Sequence, residues 1–292
     1  MRTGAAIAYG AATIVNAIAT GRGAAFGVDL CTKATVTLTD EPGVIKGRIL
    51  SDPSESTVLI EKAVSKVLQK FKLEKKHGAI VETSSNIPIA RGLKSSSTAA
   101  NAIVLATLVA LRKKLNDLSV VNLSIDAALE AGVTITGAFD DACASYFGNI
   151  VITDNTKRKI VKRFPITKAS TVLFHVPEAK SYTAEVNVDK IRAFAPQIEI
   201  AYKEALGGRY WRAMMLNGLI YSTALGYDAS IAMKALEAGA VSAGLTGKGP
   251  AVAAVLADKK INAVKEAWRE YPGEIIQAKL NRTKAHIIRW SS

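Results

Sequence analysis

A protein of mixed helices and strands, α+β or α/β, is predicted from this 292-residue sequence on three grounds. Short runs rich in Ala, Val, Ile and Thr alternate with longer stretches whose apolar residues recur at helical spacing. The alternation of strand and helix persists through the whole chain, so crossovers must connect the strands. Two glycine-bearing loops each adjoin an apolar run, where backbone can approach a ligand closely.

Strands are expected near 5–10 and 28–38. Tyr9, Thr13 and Asn16 interrupt the N-terminal apolar run, so it reads as strand, loop and strand and not as the unbroken hydrophobic block of a secretory signal. A helix over 57–72 follows Pro53, with Val58, Ile60, Ala63, Val64, Val67, Leu68 and Phe71 on one broad apolar face. A strand near 79–85 leads into a helix over 95–114. Helices near 120–131 and 139–147 are separated by a turn marked by Gly132 and Gly137. Strands near 150–153 and 160–163 flank Asp154-Asn155-Thr156 as a hairpin, and another strand covers 170–176. The remainder reads as helices near 187–206, 208–225, 229–239 and 259–270, with strands near 251–257 and 283–290.

The chain is 49% hydrophobic and 22% charged, enough for two modest cores, and two domains are expected with a boundary between Asp154 and Pro165. Cys31 and Cys143 show neither metal spacing nor a disulfide framework, as suits a reducing cytoplasm. His77, His175 and His286 are scattered and form no ligand set. The net charge of +13 is dispersed along the chain. Its densest cluster, Lys157, Arg158, Lys159, Lys162, Arg163 and Lys168, adjoins the hairpin turn, where charge keeps a sheet edge from pairing with another chain. No nucleic-acid module accompanies the charge, so no nucleic-acid partner is expected; the positive field suits small anions instead. No run reaches the length of about 18 uncharged apolar residues that marks a membrane span, so no membrane partner is expected. Oligomeric state leaves no signal.

Three stretches carry chemistry. Asn86-Ile87-Pro88-Ile89-Ala90-Arg91-Gly92-Leu93-Lys94-Ser95-Ser96-Ser97 follows a strand, curls between Pro88 and Gly92, and ends in hydroxyl residues ahead of an Ala- and Leu-rich helix. Unpaired N–H groups and the helix dipole favour an anion there, and Lys94 adds a mobile cation. Glu130, Asp140 and Asp141 place three carboxylates in an otherwise apolar stretch, with the two aspartates at a helix start. Gly244-Leu245-Thr246-Gly247-Lys248-Gly249 forms a tight loop ahead of a buried strand. A P-loop kinase is excluded, because Gly-x-x-x-x-Gly-Lys-Ser/Thr is absent; a protein kinase is opposed by the lack of His-Arg-Asp and Asp-Phe-Gly.

The string from Pro88 to Ala100 resembles the ATP-binding motif of the GHMP kinase superfamily, which includes homoserine, mevalonate and galactose kinases. Gly137-Ala-Phe-Asp140-Asp141-Ala is similar to the superfamily's second motif, and Gly244-x-x-Gly247-x-Gly249-Pro250 to its third, in the same order along the chain. The first motif departs from the usual Pro-Gly-Lys and Gly-Glu-His form. Its Ala-rich replacement, with Asn16 and Gly21-Arg-Gly-Ala-Ala-Phe-Gly27, resembles the archaeal type of shikimate kinase.

The resemblance implies an α+β two-lobed GHMP kinase fold: a nucleotide-binding α/β lobe over 1–155, a ferredoxin-like lobe over 156–292, and an active site between them. It implies ATP and Mg2+ as cofactors, with ATP held by the stretch from Asn86 to Ser97 and by Gly244, Thr246, Gly247, Lys248 and Gly249. Asp140 is implied as the catalytic base or hydroxyl-orienting group, and Ser96 with Glu130 as the magnesium ligands. The implied reaction phosphorylates the 3-hydroxyl of shikimate to give shikimate 3-phosphate, in chorismate and aromatic amino-acid biosynthesis. Homoserine- or mevalonate-type kinases and a non-catalytic ligand-binding relative are the alternatives. For the acceptor carboxylate, Arg22, Lys33, Arg91 and Arg192 are equally open.

Overall fold

The computed structural model describes residues 2–168, 170–178 and 188–288. Small residues govern its first hairpin. Ala, Gly and Val fill Thr3–Val15 (β1) and much of Arg22–Thr39 (β2), which lets the helix Ser95–Ala110 (α2) lie close on the pair. The first sheet continues through Ile45–Ile49 (β3), reached before the helix Val58–Lys70 (α1), and Gly78–Ser85 (β4); β3 and β4 are parallel. Beyond Asp117–Glu130 (α3) and Phe139–Phe147 (α4), Ile150–Asp154 (β5) pairs with the first half of β2, and Lys159–Phe164 (β6) pairs with β5. The chain returns at His286–Ile287 (β11), so the order is β11-β1-β2-β4-β3 with β5 and β6 attached alongside. α2 is apolar on all sides and almost wholly buried, because the sheet, α1, α3 and α4 surround it.

The second sheet is built from Thr171–Val176 (β7), Ser242–Leu245 (β8), Val252–Leu256 (β9) and Glu274–Lys279 (β10). Its spatial order, β10-β7-β9-β8, is wholly antiparallel and is the 4-1-3-2 order of a ferredoxin-like lobe. Val188–Arg192 (α5), Ala195–Leu206 (α6), Tyr210–Leu225 (α7) and Ser230–Glu237 (α8) lie between β7 and β8, and Ile261–Ala267 (α9) between β9 and β10. α7 packs against both β1 and β8. Phe26 meets Trp211 edge-on at 5.3 Å, so one apolar core joins the two sheets.

The structure corrects several expected boundaries. β1 and β2 run several residues past their expected ends, because the small residues continue the ladder to the turn. Three strands escaped the sequence reading: β3 is five residues long and contains Gly47, β8 lies inside a stretch read as a glycine loop, and β10 follows a helix without a clear apolar alternation. The helix expected over 187–206 breaks at Ala193-Phe194 ahead of Pro196, and residue 187 lies outside the described residues. The helix expected over 259–270 opens as a 3-10 turn over Asp258–Lys260 and ends at Ala267. Of the last expected strand only β11 forms among the described residues, which exclude 289 and 290. β6 belongs to the first sheet, so the chain leaves that sheet after Phe164. Its exposed, Lys- and Arg-bearing face lies on an edge strand, where charge resists further pairing.

Candidate active site

The segment after β4 is pinned before it curls. The Cys31 N–H donates to Asn86 Oδ1 at 2.7 Å and the Asn86 N–H returns to the Cys31 carbonyl, which fixes the strand end against β2. Ile87 and Leu93 are buried beneath the loop as anchors. Ala90, Gly92 and Lys94 then take positive φ values of 56°, 88° and 64°, a tight coil that delivers the chain to the start of α2. Two of these are not glycines, and such backbone persists only where its surroundings enforce it. No side chain caps α2, so its first N–H groups remain for an anion.

The enforcing partner is the loop between β8 and β9. Thr246 Oγ1 donates to the Gly92 carbonyl at 3.2 Å and accepts from the Thr13 N–H at 3.2 Å, while the Gly247 N–H donates to Thr13 Oγ1 at 2.9 Å. Asn16 Nδ2 donates to the Gly247 carbonyl at 2.8 Å, and the Asn16 N–H donates to Asn217 Oδ1 of α7 at 2.9 Å. The Ala251 N–H reaches the Arg91 carbonyl, and the Arg91 guanidinium donates to the Pro177 carbonyl. Both glycine-bearing loops are thus tied to one another and to the end of β1.

Asp140 and Asp141 occupy the first turn of α4, where the helix dipole favours negative charge. Asp140 is only 3% exposed; its Oδ1 accepts from Asn155 Nδ2 at 2.8 Å, and Asn155 is itself oriented by Thr153 Oγ1 at 2.6 Å. Burial, reinforced by the neighbouring Asp141, pushes the Asp140 carboxyl up to about 7, against the smaller opposing pull of Lys94 and Asn155. Asp141 pairs with Lys94 Nζ at 2.9 Å. A Cβ on Gly23 would collide with the Asp140 carboxylate. Gly23→Ala is therefore expected to displace that carboxylate and lower kcat by at least about tenfold, consistent with the sensitivity of catalysis to misplacement. Steady-state kinetics beside a far-ultraviolet spectrum check this, and an unchanged kcat would contradict it.

A cavity of about 470 Å3 brings these parts together. Of the residues the motifs single out, it brings together Ile89, Ala90, Gly92, Lys94, Ser95, Ser96, Ser97, Gly247, Lys248 and Asp140 on its lining. Asn86, Ile87, Arg91, Leu93, Gly244 and Thr246 support the walls from behind through the contacts above, or, for Gly244, through close packing on Gly218; Pro88 and Gly249 also lie off the lining. Glu130 lies apart from the lining residues. α3 ends beside α1, and the Glu130 carboxylate turns to Lys66, with its side chain 46% exposed and off the cavity lining. Asp141 does lie on that lining, with Ser95, Ser96 and Ser97 of α2, and pairs with Lys94. Arg22, Lys33, Arg91 and Arg192 are likewise off the lining: Arg22 pairs with Glu199, Lys33 is exposed, Arg91 holds Pro177 and Arg192 pairs with Asp189. The sequence reading missed the far wall, formed by Ile49, Val58, Leu59 and residues 131–136, and the supporting roles of Gly23, Asn155 and Asn217. Asn155 carried only a turn signal, because nothing local marks its reach to Asp140.

A large sheet joined to a ferredoxin-like sheet, with an uncapped helix start on the cavity between the glycine-bearing loops, is the arrangement of the GHMP kinases. Residues 58–149 match the GHMP kinases N terminal domain, and the mevalonate kinase of Methanococcus jannaschii superposes with a TM-score of 0.77 at 17% identity, covering 95% of this chain and 98% of that one. That second likeness is one of fold alone. Sequence narrows the class: the chain is 49% identical to the shikimate kinase of Methanosarcina acetivorans over 284 residues, 97% of this chain and 95% of that protein. It is 47% identical to the shikimate kinase of Methanosarcina mazei over the same length, 97% and 96% of the two chains. The chain belongs to the archaeal shikimate kinase family within the GHMP superfamily.

Proposed function

We propose that the protein transfers the γ-phosphoryl group of ATP to the 3-hydroxyl of shikimate, giving shikimate 3-phosphate and ADP in the route to chorismate and the aromatic amino acids. The observation that carries this reading is a buried carboxylate, Asp140, on the same cavity as both glycine-bearing loops, in a chain of this family. The N–H groups from Gly92 to Ser97 and the Gly247-Lys248 turn would receive the phosphates, and Lys94 and Lys248 offset their charge. The shikimate hydroxyl oxygen bonds to the γ-phosphorus as the bond to the bridging oxygen of ADP breaks. Asp140 orients that hydroxyl and takes its proton; with a carboxyl titrating near neutrality, it is matched to this task.

The cavity suits a divalent cation. Asp141 keeps a buried Oδ1 without a hydrogen-bond partner, and the hydroxyls of Ser95, Ser96 and Ser97 lie on the same lining. Ser96 is the hydroxyl that would hold magnesium there, and the ion would supply charge neutralisation for the transferring phosphoryl group. Among the described residues no helix is long and apolar enough to cross a membrane. The free thiols of Cys31 and Cys143 suit work in the cytoplasm.

ADP release with Mg-ATP, offering shikimate, homoserine and mevalonate separately, tests the proposal. Release with shikimate alone is expected. Release with another alcohol only would move the pathway while keeping the phosphoryl chemistry, and silence with all three would favour a non-catalytic relative.

A further inference from the structure

Resting on the kinase reading, we propose that Asp141 is the protein's carboxylate ligand for the nucleotide-bound divalent cation, and that Lys94 holds the metal's place until the nucleotide arrives. Asp140 and Asp141 are consecutive, 3% and 7% exposed, and both line the cavity. The ion pair to Lys94 is the one salt bridge formed by these two side chains among the described residues, so two buried carboxylates share one cation. Asp141 Oδ1 is buried with no hydrogen-bond partner, an arrangement that costs free energy unless a cation or donor completes it.

Lys94 is suited to leave. Its side chain, only 9% exposed, extends from the residue that caps α2, and its ammonium lies against Gly247, between the loops that face the phosphates. The flexible four-carbon stem of a lysine lets the ammonium leave Asp141 by side-chain torsions. Magnesium takes a few hard oxygen ligands and completes its shell with phosphate and water, a set that Asp141 and Ser96 begin. Glu130 does not line the cavity, and its half-exposed carboxylate pairs with Lys66.

The test follows metal binding and not turnover. Affinity for a non-hydrolysable ATP analogue is measured by calorimetry with and without Mn2+. In the unsubstituted protein Mn2+ should tighten binding at least tenfold. Asp141→Asn should lose that gain while holding the metal-free analogue within threefold, and Glu130→Gln should keep it. A full gain in Asp141→Asn, or loss of the gain in Glu130→Gln alone, overturns the assignment.

A second arm uses Mn2+ alone, read by loss of its free-ion paramagnetic resonance signal. Lys94→Met, with Asp141 uncovered, should bind Mn2+ at least fivefold tighter than the unsubstituted chain. The double variant Lys94→Met/Asp141→Asn, which removes both charges together and so guards against misfolding of the single variant, should lose that binding. Equal Mn2+ affinity in Lys94→Met and the double variant overturns the proposal. Failure of the unsubstituted protein to bind the analogue would count against the kinase reading, whereas the Mn2+ arm still decides the role of Asp141.

Discussion

Asp140→Asn is expected to lower kcat by about two to four orders of magnitude while leaving the affinity for Mg-ATP within threefold, the signature of a lost proton acceptor. The substitution is nearly isosteric, and the new amide can still accept from Asn155, so the pocket formed around Gly23 keeps its shape. What disappears is a group able to accept the proton of the acceptor hydroxyl. Because burial and Asp141 hold the carboxyl near neutrality, kcat/KM of the unsubstituted enzyme should rise with pH to a plateau just above about 7, and the residual activity of the variant should lack that limb. A variant retaining more than a third of the kcat, or the same acidic limb, would remove Asp140 from the role.

The same burial acts on stability with the opposite sign. Asp140 titrates near 4 in an unfolded chain and at about 7 in the folded one, so the folded state favours the protonated form. Its stabilising contribution is complete below about pH 4 and is lost as pH rises through about 7. In metal-free buffer, Asp140→Asn should therefore gain stability over the unsubstituted protein as pH rises from 4 to 8, by about 2 to 4 kcal/mol at most. Thermal unfolding across that range tests it: curves that stay parallel would mean that Asp140 ionises without cost. Both results together, a slower and a more stable Asp140→Asn, would mark a trade of stability for chemistry at this position.

What could be read in advance was what neighbouring residues encode. The coil from Pro88 to Ser97 announces itself through Pro, Gly and a run of hydroxyls, and it forms where expected. Asp140 was visible as an acidic helix start, but its burial was not: that depends on Gly23, far upstream, and on Asn155, fifteen residues downstream. Glu130 shows where a resemblance meets packing: the family likeness implied a magnesium ligand there, whereas the packing of α1 against α3 sets Lys66 beside its carboxylate, off the cavity lining. The short strands β3, β8 and β10 form because neighbouring strands offer them ladder partners, so four to six residues of their own carry too little pattern to announce them.

Gly92→Ala should separate the two glycine-bearing loops. Gly92 has a φ of +88°, and a Cβ there would collide with the Thr246 carbonyl oxygen. An L residue at such a φ costs about 1 to 2 kcal/mol before any collision; a chain of this size should then lose about 5 °C in Tm. The collision adds a functional loss, because the Thr246 hydroxyl that holds the Gly92 carbonyl also receives the Thr13 N–H. Pushing Gly92 from Thr246 therefore loosens the coil that presents the first N–H groups of α2, and Mg-ATP affinity should fall at least about tenfold, the scale of one lost charge-assisted contact. Gly226→Ala supplies the comparison: φ is +73° at the end of α7, and a Cβ would meet nothing within 4 Å. It should show a similar backbone cost with unchanged nucleotide affinity. If calorimetry gave Gly92→Ala the same affinity as Gly226→Ala, and thermal unfolding the same Tm, the contact between the loops would carry no weight in phosphate binding. The α2 terminus alone would then have to account for it.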